Sequence, residues 1–117
     1  MLAAAERDRH TFDILRRAAT APLETTLFHA QQAIEKGLKA ALVAKGVVFP
    51  RIHDLLELYA LAKRHHLTPP VSRDLMARLA PYAVEFRYIG VIAPKVTCEE
   101  AQGAVDDLLA WAKRELT

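Results

Sequence analysis

The sequence predicts an all-α fold, a small antiparallel up-and-down helical bundle of about five helices, on three observations. Apolar residues recur at three- and four-residue spacing through most of the chain. No segment sustains the apolar/polar alternation of a half-buried strand, and the breakers fall between the periodic segments. Those breakers are Pro22, GVVFP at 46–50, TPP at 68–70 and GVIAPKVT at 90–97.

The first segment, about 2–19, puts Phe12, Leu15 and Ala19 on one helical stripe. The second, about 23–45, is the longest. The third opens at Asp54, where Glu57 three residues on completes a capping box, and it runs to about residue 66. Lys63, Arg64, His65 and His66 crowd its end, where the helix dipole favours cations. The fourth, about 72–88, contains Pro81, which removes a backbone donor and should kink or split it. The fifth opens on TCEE, with Thr97 capping and Glu100 answering. Ala101, Ala104, Val105, Leu108 and Ala112 then form its apolar face, and Lys113 and Arg114 close its last turn.

Composition narrows the class further. A chain of 117 residues, 52% hydrophobic and 26% charged, has the balance of one folded domain, expected to span 1–117. A formal charge of +2 gives no general argument for nucleic acid or an anionic membrane. Cys98 is the single cysteine, which excludes an intrachain disulfide and a cysteine-based zinc site and suits a reducing cytoplasm. No apolar run approaches the roughly 18 residues of a membrane span, and the opening MLAAAERDRH turns charged too early for a signal peptide. A cytoplasmic protein is expected.

Projected at about 100° per residue, the second segment separates into two faces. Leu23, Leu27, Ala30, Ile34, Leu38 and Ala41 form one side, with Ala33, Gly37, Ala40 and Ala44 along its edge as a seam of small residues. The opposite side carries Gln32, Glu35, Lys36 and Lys39, with Phe28 and Val43 beside them. A solvated face explains the charges. It explains the phenylalanine and valine less well, so this side is expected to be partly covered by another helix or a second subunit.

The stretch FHAQQAIEKGLKAAL at 28–42, HDL at 53–55 and RY at 87–88, ahead of a capped last helix, resembles the HEPN family (higher eukaryotes and prokaryotes nucleotide-binding) over nearly the whole chain. Gln32, Ala33, Glu35, Lys36 and Lys39 carry its most specific part. The resemblance implies a small antiparallel helical bundle, often dimeric, and short prokaryotic members of the family are frequently encoded beside a minimal nucleotidyltransferase. It therefore implies a nucleotide-binding or partner subunit of such a transferase, in a toxin–antitoxin-type or related system. The nucleotide-binding set expected on this basis is Gln32, Glu35, Lys36, Lys39, His53, Arg87 and Tyr88. An adenine nucleotide would be the ligand and a homodimer or a heteromer with the transferase the assembly. No cofactor or metal is expected, and neither membrane nor nucleic acid is indicated.

Ribonucleases and toxins of that family carry an arginine followed, after four to six residues, by a histidine. This sequence departs from the pattern, since His10, His29, His53, His65 and His66 all lack an arginine at that distance before them. Enzymatic activity is not expected on that ground. A purely structural interaction module, with the polar stripe as its interface, is the competing class. A third reading takes His29, the pair His53 and Asp54, and Asp106 or Asp107 as the ligand order of an HD-type metal phosphohydrolase. Asp54 is already explained as a cap and His53 as its neighbour. Replacing Lys36 or Lys39 is expected to leave the fold intact, as at other surface positions. Arg9, Arg16 and Arg17 of the first segment could face phosphates, although a solvated face is the default reading there. Trp111 and Tyr82 read as packing residues.

Overall fold

The computed structural model describes residues 1–83 and 94–117. They form α1 (Leu2–Arg17), α2 (Leu23–Ala44), α3 (Leu55–Arg64), α4 (Arg73–Leu79), a 3₁₀ turn (Ala80–Ala83) and α5 (Cys98–Glu115), with no strand among the described residues. The expected helical bundle is therefore observed. The first and third helices are shorter than expected: Ala19 lies beyond α1, and α3 stops before His65 and His66. Pro81 does end α4, and the chain continues as the 3₁₀ turn. Arg87 and Tyr88 lie outside the described residues.

The longest helix is also the central one. α2 packs chiefly on α1 and α5, and Leu27, Ala30, Ile34, Leu38, Ala41 and Leu42 are all fully buried. Each large aliphatic side chain buried in this way contributes about 1.5–3 kcal/mol. Leu23, expected on the same stripe, is 46% exposed because it sits in the first turn, before the helix enters the core. The small-residue seam is real over Ala33, Gly37 and Ala40, but Ala44 is exposed. Gly37 is its tightest point. A Cβ there would lie 2.9 Å from a methyl of Leu108 and 2.9 Å from one of Leu109 on α5.

Two helix ends share one device. After α2 the amide of Gly46 donates to Val43 O and that of Val47 to Leu42 O; after α3, His66 donates to Lys63 O and Leu67 to Ala62 O. These are the paired bonds of a Schellman motif, whose turning residue is left-handed. Gly46 takes φ 72° there, and His66 takes φ 63°. Val47 and Leu67, one residue further on, are buried and anchor each turn to the core.

The start of α3 is capped more simply than expected. Asp54 accepts from Leu56 N, and the reciprocal box is found at α5, between Thr97 and Glu100. α4 and α5 are joined beside that box. Arg78 donates to Lys95 O (3.1 Å) and pairs with Asp74 (3.0 Å) and Glu100 (2.9 Å), while Tyr82 OH donates to Pro94 O (2.9 Å). α1 and α5 run antiparallel, as Arg9 meets Asp106 (2.7 Å) and Glu6 meets Lys113 (2.7 Å).

Candidate functional site

The polar side of α2 holds two carboxylates, each gripped by one lysine and one histidine. The first is Glu35, only 4% exposed although it lies on the face opposite the apolar stripe. Lys39 Nζ donates to its Oε2 (3.0 Å), Gln31 Nε2 donates to its Oε1 (3.3 Å), and His53 Nδ1 lies 3.1 Å from Oε2. His53 comes from the segment before α3 and stays 69% exposed. Its Nδ1 also lies 3.2 Å from Lys39 Nζ. A protonated Nδ1 donates to Glu35, whereas a bare one accepts from Lys39, so the proton on this imidazole selects its partner.

The second carboxylate is Asp8 of α1. Its Oδ1 lies 3.0 Å from His29 Nδ1 and its Oδ2 accepts from Lys36, and the side chain is 12% exposed. Here α1 supplies the cover that the sequence left open between a helix and a second subunit. Gln32 lies between the groups and donates to Gln31 Oε1 (2.6 Å). Phe28 stands edge-on to His29, with ring centroids 5.1 Å apart. Val43, further along, remains 52% exposed.

Of the seven residues expected to bind nucleotide, the fold gathers Gln32, Glu35, Lys36, Lys39 and His53 around one helix face; Arg87 and Tyr88 lie outside the described residues. Both lysines are already neutralised by carboxylates. Asp8, which holds His29 and Lys36, and Gln31, which holds Glu35, were not singled out in the sequence. Gln31 could have been found four residues before Glu35, on the same helical edge. Asp8 carries no such signal, because only the packing of α1 on α2 brings it there.

The ligand order of the phosphohydrolase reading is not assembled. His29 pairs with Asp8, His53 with Glu35, Asp54 with the amide of Leu56 and Asp106 with Arg9. Among the described residues no three His, Cys, Asp or Glu side chains are placed to share a metal ion.

Titration behaviour follows local contacts. The hydrogen bond from Arg78, then that from the Thr97 backbone, holds Glu100 below the usual carboxylate range, and Glu100 with Asp74 raises Arg78 in turn. Partial burial pushes the Asp13 carboxyl up, but the bond from Arg16 and the charges of Arg17 and Arg16 outweigh it and leave it lowered. Burial raises the Tyr82 phenol and the Cys98 thiol, with Glu24 and Glu99 adding to the respective shifts. Cys98 is thus a protonated, half-buried thiol at neutral pH.

A helical bundle whose central helix presents paired lysine, histidine and carboxylate groups defines a class of small α-helical modules with one charged face. The family described as HEPN domain matches residues 1–116, and the chain belongs to that family. No curated protein and no solved structure matches it. No helix among the described residues is long and apolar enough to cross a membrane.

Proposed function

We propose that this HEPN chain is a partner subunit of a minimal nucleotidyltransferase in a toxin–antitoxin-type system, and that the polar face of α2 is the surface it presents. The observation that carries this reading is the pairing of Lys36 with Asp8 and of Lys39 with Glu35. A phosphate site requires cationic charge in excess, and these two lysines have already spent theirs on carboxylates. A pre-organised, charge-balanced face with an exposed imidazole and nearby apolar side chains suits a protein interface better. Glu35, Lys39 and Asp8 hold the geometry from below. Gln32, His53 and Phe28 make the contact.

The reading is tested by mixing the purified chain with its nucleotidyltransferase and measuring the mass of the complex by light scattering. His53→Ala and Phe28→Ser should weaken the complex about tenfold, in the range of a modest interface contact. A transferase that runs separately from the wild-type chain would sink the proposal. Calorimetry with ATP on wild type and His53→Ala tests the alternative role of the same face. If ATP binds and His53→Ala abolishes the heat while the protein complex is unaffected, the face is a nucleotide site.

A further inference from the structure

His53 Nδ1 stands in a triangle with two groups of α2, 3.1 Å from Glu35 Oε2 and 3.2 Å from Lys39 Nζ, while Lys39 Nζ lies 3.0 Å from the same Oε2. One ring nitrogen cannot make both contacts in a single protonation state. We infer that this triangle is a proton-operated latch. With His53 neutral it holds the Lys39 ammonium against α2; with His53 charged, the imidazolium takes Glu35 and releases that ammonium to the polar face.

Glu35 is 4% exposed and its Oε1 is taken by Gln31 Nε2 (3.3 Å), so the histidine and the lysine compete for the single oxygen Oε2. When Nδ1 is bare it accepts from Lys39, the ammonium donates to carboxylate and imidazole together, and the three groups sum to zero charge. When Nδ1 carries a proton it donates to Glu35, and an imidazolium then faces an ammonium across 3.2 Å with one carboxylate for both. The like charges part, and the two stems decide which one moves. His53 has a short stem one residue before Asp54, the cap of α3, whereas Lys39 has a flexible four-carbon stem. Lys39 therefore withdraws, and the face gains a free ammonium. Glu35 keeps a donor on each oxygen throughout, Gln31 on one and either Lys39 or His53 on the other, so the exchange leaves no buried carboxylate oxygen unpaired. Among the described residues Glu35 is the carboxylate that pairs with the ring. Arg51 and Asp54 flank it on its own segment, with Asp54 held by the amide of Leu56, and Glu57 of α3 makes no ion pair with it. His53 is 69% exposed, so its proton exchanges directly with solvent, and imidazole is the side chain whose charge ordinarily changes between about pH 5 and 8. What the released ammonium does to a partner rests on the reading of α2 proposed above; the latch itself does not.

Side-chain NMR of the purified chain alone, from about pH 5 to 8, follows the His53 ring nitrogens, the Glu35 carboxyl carbon and Lys39 Nζ in wild type and in His53→Gln. The glutamine amide still accepts from Lys39 but takes up no proton, and at so exposed a position it leaves the fold intact. In wild type Nδ1 should be bare at the alkaline end and protonated at the acidic end, and the Glu35 and Lys39 signals should shift with the same midpoint as the ring. In His53→Gln that step should be missing from both signals. Lys39 and Glu35 signals that ignore the titration of the ring, a step that survives in His53→Gln, or an Nδ1 that keeps its proton across the whole range overturns the inference. A step present in the isolated chain upholds the latch even if no transferase binds, so the latch and the partner reading fail separately.

Discussion

Lys39 shows how a single residue changes meaning once its surroundings are known. Its side chain is only 15% exposed and its ammonium lies 3.0 Å from a carboxylate that is 5% exposed. Removing one partner of a buried pair leaves the other charged and poorly solvated. Lys39→Ala should therefore destabilise the fold by about 1–3 kcal/mol, read as a lower midpoint in urea, and not behave as the neutral surface change that its position in the sequence suggests. A midpoint equal to wild type would show that Gln31 and His53 suffice to hold Glu35. His66 offers the opposite sign. It adopts φ 63° at the end of α3, a position that glycine fills after α2. Glycine loses nothing sterically in that conformation, so His66→Gly should stabilise the protein by about 0.5–1 kcal/mol in a thermal melt.

Among the elements, the contact of α2 with α5 sets the spacing of the bundle. Gly37 meets Leu108 and Leu109 so closely that any side chain must move both leucines. Gly37→Val adds an isopropyl group to a filled interface, and overpacking of that kind costs about 1–3 kcal/mol. Chemical denaturation measures it, and an unchanged midpoint would mean that the helices can part freely. The join of α4 to α5 depends on pH instead. Glu100 has a folded pKa below its ordinary value, so its contribution is present above the unfolded pKa and is lost as pH falls through the folded one. Melting temperature should fall as pH drops below the ordinary glutamate range of about 4.3, and Glu100→Gln should flatten part of that dependence. An identical acid profile in the variant would assign the loss to other carboxylates.

For the whole molecule, the apolar surface left uncovered is the informative quantity. Met1, Val43 and Leu116 are 59%, 52% and 46% exposed and share an apolar hollow of about 230 Å³ with Leu2, Ala40 and Ala44. Val48 is 96% exposed. Side chains of this kind gathered at one end of a helical bundle favour self-association. Light scattering at high micromolar concentration is expected to give a dimer mass, with Val43→Glu shifting it toward the monomer. A monomer mass for wild type would rule this self-association out.

What the sequence determined by itself was the set of helices and most of their core. The 3.6-residue period of Leu27, Ile34 and Leu38, the proline breaks and the cap at Thr97 are local properties, and local chemistry suffices to read them. The polar stripe of α2 was legible for the same reason, because Gln32, Glu35, Lys36 and Lys39 share a face by helical geometry alone. Its electrostatic state was not. Whether a lysine is a free cation or half of a buried pair depends on what a distant segment brings, and Asp8, 28 residues before Lys36, is joined to it only by the packing of α1 on α2. The ion pairs that join α1 to α5 were hidden in the same way. Arg16 and Arg17 meet Asp13 at helical spacing within α1, but tertiary structure alone decided that Arg9 meets Asp106, because Coulomb energy depends on separation in space and not along the chain.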